Sequence, residues 1–174
     1  RNEKELQAQY EAIKQEMRPS ASVGIALYPD HGADFDALMR CAEMAVDDAK
    51  RAGGRRCRVF DRGMIVAMQL RKDIERDLSE AIEAGDLSLH YQPQLDLATG
   101  RIVGVEALMR WSHRERGLIP PTTFIPIAEA SGLIKPMGTW LVHEACRTVR
   151  SWQAMGLDIA MAINISAAQL RQQN

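Results

Sequence analysis

Four side chains in this sequence are of types that can do chemistry together: Gln92, Glu106, Arg110 and Asn164. Glu106 and Arg110 lie in residues 101–111, a run that reads as a β-strand. Strand side chains alternate, so Ile102, Gly104, Glu106, Leu108 and Arg110 share one face, and Val103, Val105, Ala107, Met109 and Trp111 the other. A carboxylate and a guanidinium therefore point the same way. Asn164 stands near the end of residues 157–166, where Ala160, Ala162, Asn164 and Ser166 share a face opposite Ile159, Met161, Ile163 and Ile165. Gln92 shares a face with His90 in a strand over residues 87–95. Carboxylate and carboxamide oxygens suit hard cations such as Mg²⁺ and Mn²⁺, and a planar guanidinium suits phosphate oxygens. Each residue also has a plainer role. Glu106 and Arg110 can form a structural ion pair, while Gln92 and Asn164 can satisfy backbone groups. His31, His90, His113 and His143 lack metal-ligand spacing, and Cys41, Cys57 and Cys146 form no Cys-x-x-Cys pair, which excludes a zinc knuckle or disulfide framework.

Such residues need a scaffold, and the hydrophobic spacing supplies one. Leu6, Tyr10, Ile13 and Met17 predict an amphipathic helix over residues 3–17, ended by Pro19. Residues 21–28 read as a strand closed by the turn Pro29-Asp30-His31-Gly32. A helix starting at Asp34 or Asp36 follows, with Phe35, Leu38, Ala42, Ala45 and Ala49 on one face and Gly53-Gly54 at its end. Residues 56–60 form another strand. Leu70, Ile74, Leu78 and Ile82 set a linker helix over 65–84. Its apolar spacing also permits a homodimer through this helix. Only Leu97-Ala98-Thr99-Gly100 separates the strands at 87–95 and 101–111, and so short a connection forces antiparallel pairing. Helices are expected at 122–130 and 136–155, with Trp140 and Trp152, like Trp111, in core packing. The nearly continuous apolar run 157–166 reads as a strand buried on both faces.

Composition narrows the classes. With 22 basic and 23 acidic residues the net charge is -1, so no electrostatic field draws the chain to duplex nucleic acid. No apolar run approaches the ~18 residues that would span a bilayer, and no signal pattern opens the sequence, so a cytoplasmic location is expected.

Five blocks in order carry a family resemblance: Tyr91-Gln92-Pro93-Gln94, Glu106-Ala107-Leu108-Met109-Arg110-Trp111, Phe124-Ile125-Pro126-Ile127-Ala128-Glu129, Gly132-Leu133-Ile134 and Asn164-Ile165-Ser166. Together they resemble an EAL domain. Upstream, Ser22-Val23-Gly24-Ile25-Ala26, Ala42-Glu43-Met44-Ala45 and Ala49-Lys50-Arg51-Ala52-Gly53-Gly54 resemble the C-terminal third of a GGDEF domain. Two departures stand out: Asp47 replaces the family's usual Tyr, and Arg55-Arg56 follow Gly53-Gly54 where the signature loop is absent. No GTP-condensing chemistry is therefore assigned, and Lys50 reads as a solvated charge.

The resemblance implies an α/β fold: a partial EAL-type modified (β/α) barrel with an antiparallel first strand pair, preceded by an α+β GGDEF remnant. The expected division is 1–61 for the remnant, 62–85 for the linker helix and 86–174 for the EAL portion. It implies cyclic di-GMP as ligand, hydrolysed with Mg²⁺ or Mn²⁺ to linear pGpG. Glu106 and Asn164 become metal ligands, and Gln92 and Arg110 substrate contacts. Divalent cations neutralise phosphate oxygens and lower the pKa of bound water from about 15.7 toward ~7 in favourable sites. A full barrel takes ~250 residues, and the family's remaining acidic ligands and Lys lie in its later part. The chain alone is thus expected to be inactive, marginally stable or self-associating. The competing expectation is a non-catalytic module that binds cyclic di-GMP or a protein partner.

Overall fold

A computed structural model describes residue 8 and residues 21–170. The helix expected over 3–17 lies, apart from Ala8, outside the described residues. The chain divides into two units, Arg1–Leu70 and Arg71–Asn174.

In the first unit β1 (Val23–Ile25) and β2 (Cys57–Val59) pair in parallel around α1 (Phe35–Arg51), the expected strand-helix-strand order. Asp34 caps α1, its Oδ1 accepting the Ala37 N–H at 2.7 Å. Ala45 and Ala49 are fully buried. Their small size brings helix and strand together, and a Cβ placed on Gly24 would lie 2.1 Å from the Ala42 carbonyl oxygen. Both strands are shorter than expected. A three-residue strand spans about 10 Å, whereas a helix of this length spans about 25 Å. The helix is thus longer than the strands beside it, and Phe35 in its first turn, expected on the packed face, is exposed.

Helix α2 (Arg62–Ala84) starts three residues before the expected position, where Asp61 Oδ1 accepts the Gly63 N–H at 2.6 Å. Met64 packs with Ala45 and Phe60, while Ile74, Leu78 and Ala81 belong to a separate core. Leu70, expected on the packed face with Ile74 and Leu78, is exposed.

The second unit is built on one long strand. β4 (Ile102–His113) pairs antiparallel with β3 (Leu87–Leu95) along one edge. Its other edge takes β5 (Gly117–Ile119), antiparallel, and β6 (Ala160–Ile163), parallel. Helices α3 (Pro121–Ser131) and α4 (Ile134–Ala154) follow β5, and α5 (Ala167–Leu170) follows β6. This mixed α/β arrangement has the antiparallel first pair inferred from the short connection. Among the described residues the four strands form an open sheet. Asp96 Oδ1 accepts the Ala98 and Thr99 N–H groups in the β3–β4 turn, both at 2.8 Å. The Thr99 N–H, then the Thr99 hydroxyl and the Ala98 N–H, hold the Asp96 carboxyl below the usual carboxylate range.

One face of the sheet is covered. Leu87, Trp111 and Ile119 pack with Phe124, Ile127, Ala128, Ile134 and Met137 from the helices, and with Ile74 and Leu78. Trp111 meets Phe124 edge to face at 5.9 Å. Tyr91 stacks edgewise on Trp152 at 5.0 Å and shares a hydrogen bond with Thr148 at 3.0 Å. On the opposite face Ser88, His90, Gln92 and Gln94 are exposed. The run 157–166 is not a strand buried on both sides. Only Ala160–Ile163 is strand; Ala160 and Ala162 are exposed, while Met161 and Ile163 are half-buried. The reason is the same two-faced sheet, because β6 turns one row of side chains to the helices and the other to the open face.

The β4–β5 hairpin, which hydrophobic spacing did not predict, is tied to α2. His113 Nδ1 accepts the Glu115 and Arg116 N–H groups at 3.0 and 3.1 Å, which leaves Nε2 to donate to Asp77 Oδ2 at 3.0 Å. Burial pushes the Asp77 carboxyl up, but hydrogen bonds from Arg76 and His113 and their charges outweigh it and hold it below its ordinary range. His113 is thus a structural residue, as its lack of metal spacing suggested. No helix among the described residues is long and apolar enough to cross a membrane.

Candidate functional site

The open face of the sheet gathers the polar residues. Register puts Gln92 directly opposite Glu106 across β3 and β4, and Glu106 beside Ala162 of β6. Residues so paired share a face. Asn164, two positions beyond Ala162, donates from Nδ2 to Glu106 Oε1 at 2.6 Å. Glu106 is half-buried, and Gln92 and Asn164 are exposed. Close approach at this edge depends on small residues: a Cβ on Gly104 would lie 3.2 Å from the Ala160 carbonyl oxygen.

Arg110 lies on the same strand, opposite Ser88. Its Nη1 donates to the Met109 carbonyl at 2.9 Å. Among the described residues it makes no ion pair, so the structural Glu106–Arg110 bridge considered as the plainer alternative is not formed. The structure therefore joins Glu106 to Asn164 directly, sets Gln92 across from them, and leaves the Arg110 guanidinium apart from the carboxylate. His90 is exposed on the same face, and Cys41, Cys57 and Cys146 form no disulfide among the described residues.

The loop after β6 contains a device that the sequence reading missed. Ser166 Oγ accepts the Ala168 N–H at 3.1 Å, and Gln169 Oε1 accepts the Ser166 N–H at 2.8 Å. This is a capping box at the start of α5, and the signal was legible as Ser-x-x-Gln. Gly138 of α4 makes room for it, since a Cβ there would lie 1.7 Å from Gln169 Nε2. The Ser166 hydroxyl also donates to Glu129 of α3 in a short hydrogen bond. A cavity of about 270 Å³ lies alongside, lined by Leu108, Ile125 and Met137 with Arg110, Glu129 and Asn164 among its polar groups.

Among the described residues no three His, Cys, Asp or Glu side chains cluster as a metal site. What Glu106 and Asn164 offer is a carboxylate and a carboxamide already in contact, two hard oxygen donors of the kind Mg²⁺ and Mn²⁺ take. The donor set fits such a cation, as a partial shell.

An open sheet with a long antiparallel first pair, and Glu-Ala-Leu on the strand that carries the carboxylate, defines an EAL-type domain. The family model for the EAL domain matches residues 75–174, and that for the diguanylate cyclase GGDEF domain matches residues 1–56. The chain belongs to the EAL domain family, with a GGDEF-type segment before it. It is 41% identical over 167 residues to the bifunctional diguanylate cyclase/cyclic di-GMP phosphodiesterase MucR of Pseudomonas aeruginosa, covering 95% of this chain and 24% of that protein. It is 42% identical over 158 residues to the cyclic di-GMP phosphodiesterase PdeR of Escherichia coli K12, covering 91% and 24% respectively. The chain thus spans about a quarter of the length of these relatives. Among solved structures, a PaMucR phosphodiesterase in complex with c-di-GMP aligns with a TM-score of 0.55 at 43% identity, over 58% of this chain and 41% of that chain. The EAL enzyme Bd1971, bound to cAMP and cyclic-di-GMP, aligns with a TM-score of 0.58 at 25% identity, over 81% and 38%.

Proposed function

We propose that this chain is part of a cyclic di-GMP phosphodiesterase, with residues 62–85 linking a GGDEF remnant (1–61) to the first portion of an EAL domain (86–174). The observation that carries the reading is the 2.6 Å contact between Asn164 and Glu106, with Gln92 opposite on the same exposed face. Glu106 and Asn164 would hold a Mg²⁺ or Mn²⁺ ion, which when bound would neutralise charge at the phosphate and activate water. Arg110 grips a phosphate oxygen through its planar head, which makes no ion pair among the described residues. Gln92 contacts the substrate from the neighbouring strand. The likeness to phosphodiesterases and to an EAL structure bound to c-di-GMP supports this choice of ligand.

Two oxygen ligands leave most positions of a six-coordinate Mg²⁺ to water. The 174-residue chain by itself therefore does not turn over substrate. Incubation of the purified chain with cyclic di-GMP and either metal, followed by chromatographic separation, is expected to yield no linear pGpG. Metal-dependent product would overturn that statement. A longer protein carrying this chain is expected to produce pGpG and to lose that activity on Glu106→Gln. If it binds cyclic di-GMP with either metal and never yields pGpG, it is instead a non-catalytic signalling module.

A further inference from the structure

We infer that Glu129 is a positioning residue that sets the orientation of Asn164 through Ser166; the inference rests on the reading of Asn164 as a metal ligand. Asn164 is the first residue past the end of β6 and stands three residues before the start of α5. Behind it, β6 is held by its four-residue pairing with β4. The Asn164 carboxamide is held by its bond to Glu106, and that bond keeps its geometry only if the chain beyond it is also held.

Ser166 is that second anchor. Its hydroxyl has one proton to give and two lone pairs to receive with. The proton goes to Glu129 Oε1, and one lone pair takes the Ala168 N–H. Its backbone N–H goes to Gln169 Oε1. Every polar atom that Ser166 places toward the protein is therefore committed, and its single side-chain donor bond leads to Glu129. Gln169 and Ala168 belong to the short helix α5 that continues the loop, and Ala168 packs against the main core. Glu129 comes from a separate element. It sits near the C-terminal end of the eleven-residue helix α3, whose Phe124, Ile127 and Ala128 are buried in the main core. The Glu129 carboxylate is thus the hydrogen-bonded link from the Asn164 loop to α3, alongside the packing of Ala168 on the core. Glu129 itself is joined to neither Glu106 nor Arg110, so its action passes through Ser166. Groups bonded directly to a metal ligand typically change metal affinity about 10–100-fold when removed, and Glu129 acts further out, through Ser166.

The test uses the 174-residue chain, labelled with ¹⁵N, in wild-type form and as Glu129→Ala, Glu129→Gln and Ser166→Ala. Two readouts are compared, the Asn164 side-chain amide resonances and the apparent affinity for Mn²⁺. In the wild type the Asn164 amide proton on Glu106 should be shifted downfield and slow to exchange. Glu129→Ala and Ser166→Ala should return it toward the free-amide position and weaken Mn²⁺ binding by up to about 10-fold, the low end of that range. Glu129→Gln keeps an acceptor oxygen and should restore both. A purely structural role for Glu129 would lower the melting temperature and leave the Asn164 amide where it was, and that result overturns the inference. Glu106→Gln separates the two layers of the argument. If it leaves Mn²⁺ binding untouched, the metal reading fails, while the Asn164 amide still decides whether Glu129 positions the loop.

Discussion

The two faces of the β3–β4–β6 sheet are made by the same alternation and yet have opposite fates. On one side Leu87, Ala107 and Trp111 are buried. On the other, Gln92 and Asn164 are exposed, with Glu106 half-buried between them. β4 serves both. Its Val105, Ala107 and Trp111 are buried in the core, and its Glu106 and Arg110 hold polar groups ready for a ligand. A single register therefore fixes core and site together, and a one-residue slip would exchange them.

The covered face should carry the largest energetic effects. Trp111→Ala removes a fully buried ring that meets Phe124 and is expected to cost about 3–5 kcal/mol in a urea melt. A loss below about 1 kcal/mol would mean that this face is not the core. Next comes the tie between α2 and the hairpin. Asp77→Ala strips His113 Nε2 and Arg76 of their acceptor and should cost on the order of 1–3 kcal/mol. The Asp77 carboxyl is held below its unfolded range, so its contribution is present above an ordinary carboxylate pKa of about 4 and fades as pH falls further. Acid melts of the wild type should show this extra loss of stability, and Asp77→Ala should flatten it. If the two curves run parallel, the tie does not stabilise the fold.

The smallest effect on stability is expected on the open face. Glu106→Gln keeps the shape and an acceptor for the Asn164 amide, and should change stability by no more than about 0.5 kcal/mol. A large loss there would turn the site back into ordinary structure.

Much of this was legible in the sequence, and the exceptions have physical causes. Alternation placed Glu106, Arg110 and Asn164 without coordinates because side-chain period is a property of the strand itself. The short 97–100 connection dictated antiparallel pairing for the same reason. The apolar run 157–166 was misread because hydrophobicity cannot tell a side chain that faces a helix from a small one that faces an open interior; Ala160 and Ala162 are of the second kind. Phe35 and Leu70 have the right helical spacing and are nevertheless exposed, since spacing does not say how far a neighbouring element extends. β5 escaped notice because three residues carry too little periodicity. The capping box at Ser166 and Gln169 was readable, whereas the bond from Ser166 to Glu129 joins residues 37 apart in sequence, and no local pattern announces it.

Paramagnetic broadening by Mn²⁺ examines the open face most directly, because it detects weak binding by a partial ligand shell. Substoichiometric Mn²⁺ added to the ¹⁵N-labelled chain should selectively broaden the resonances of Gln92, Glu106 and Asn164, and Glu106→Gln should abolish that broadening. Broadening centred on Asp73 and Asp77 instead, or left unchanged by Glu106→Gln, would contradict the account.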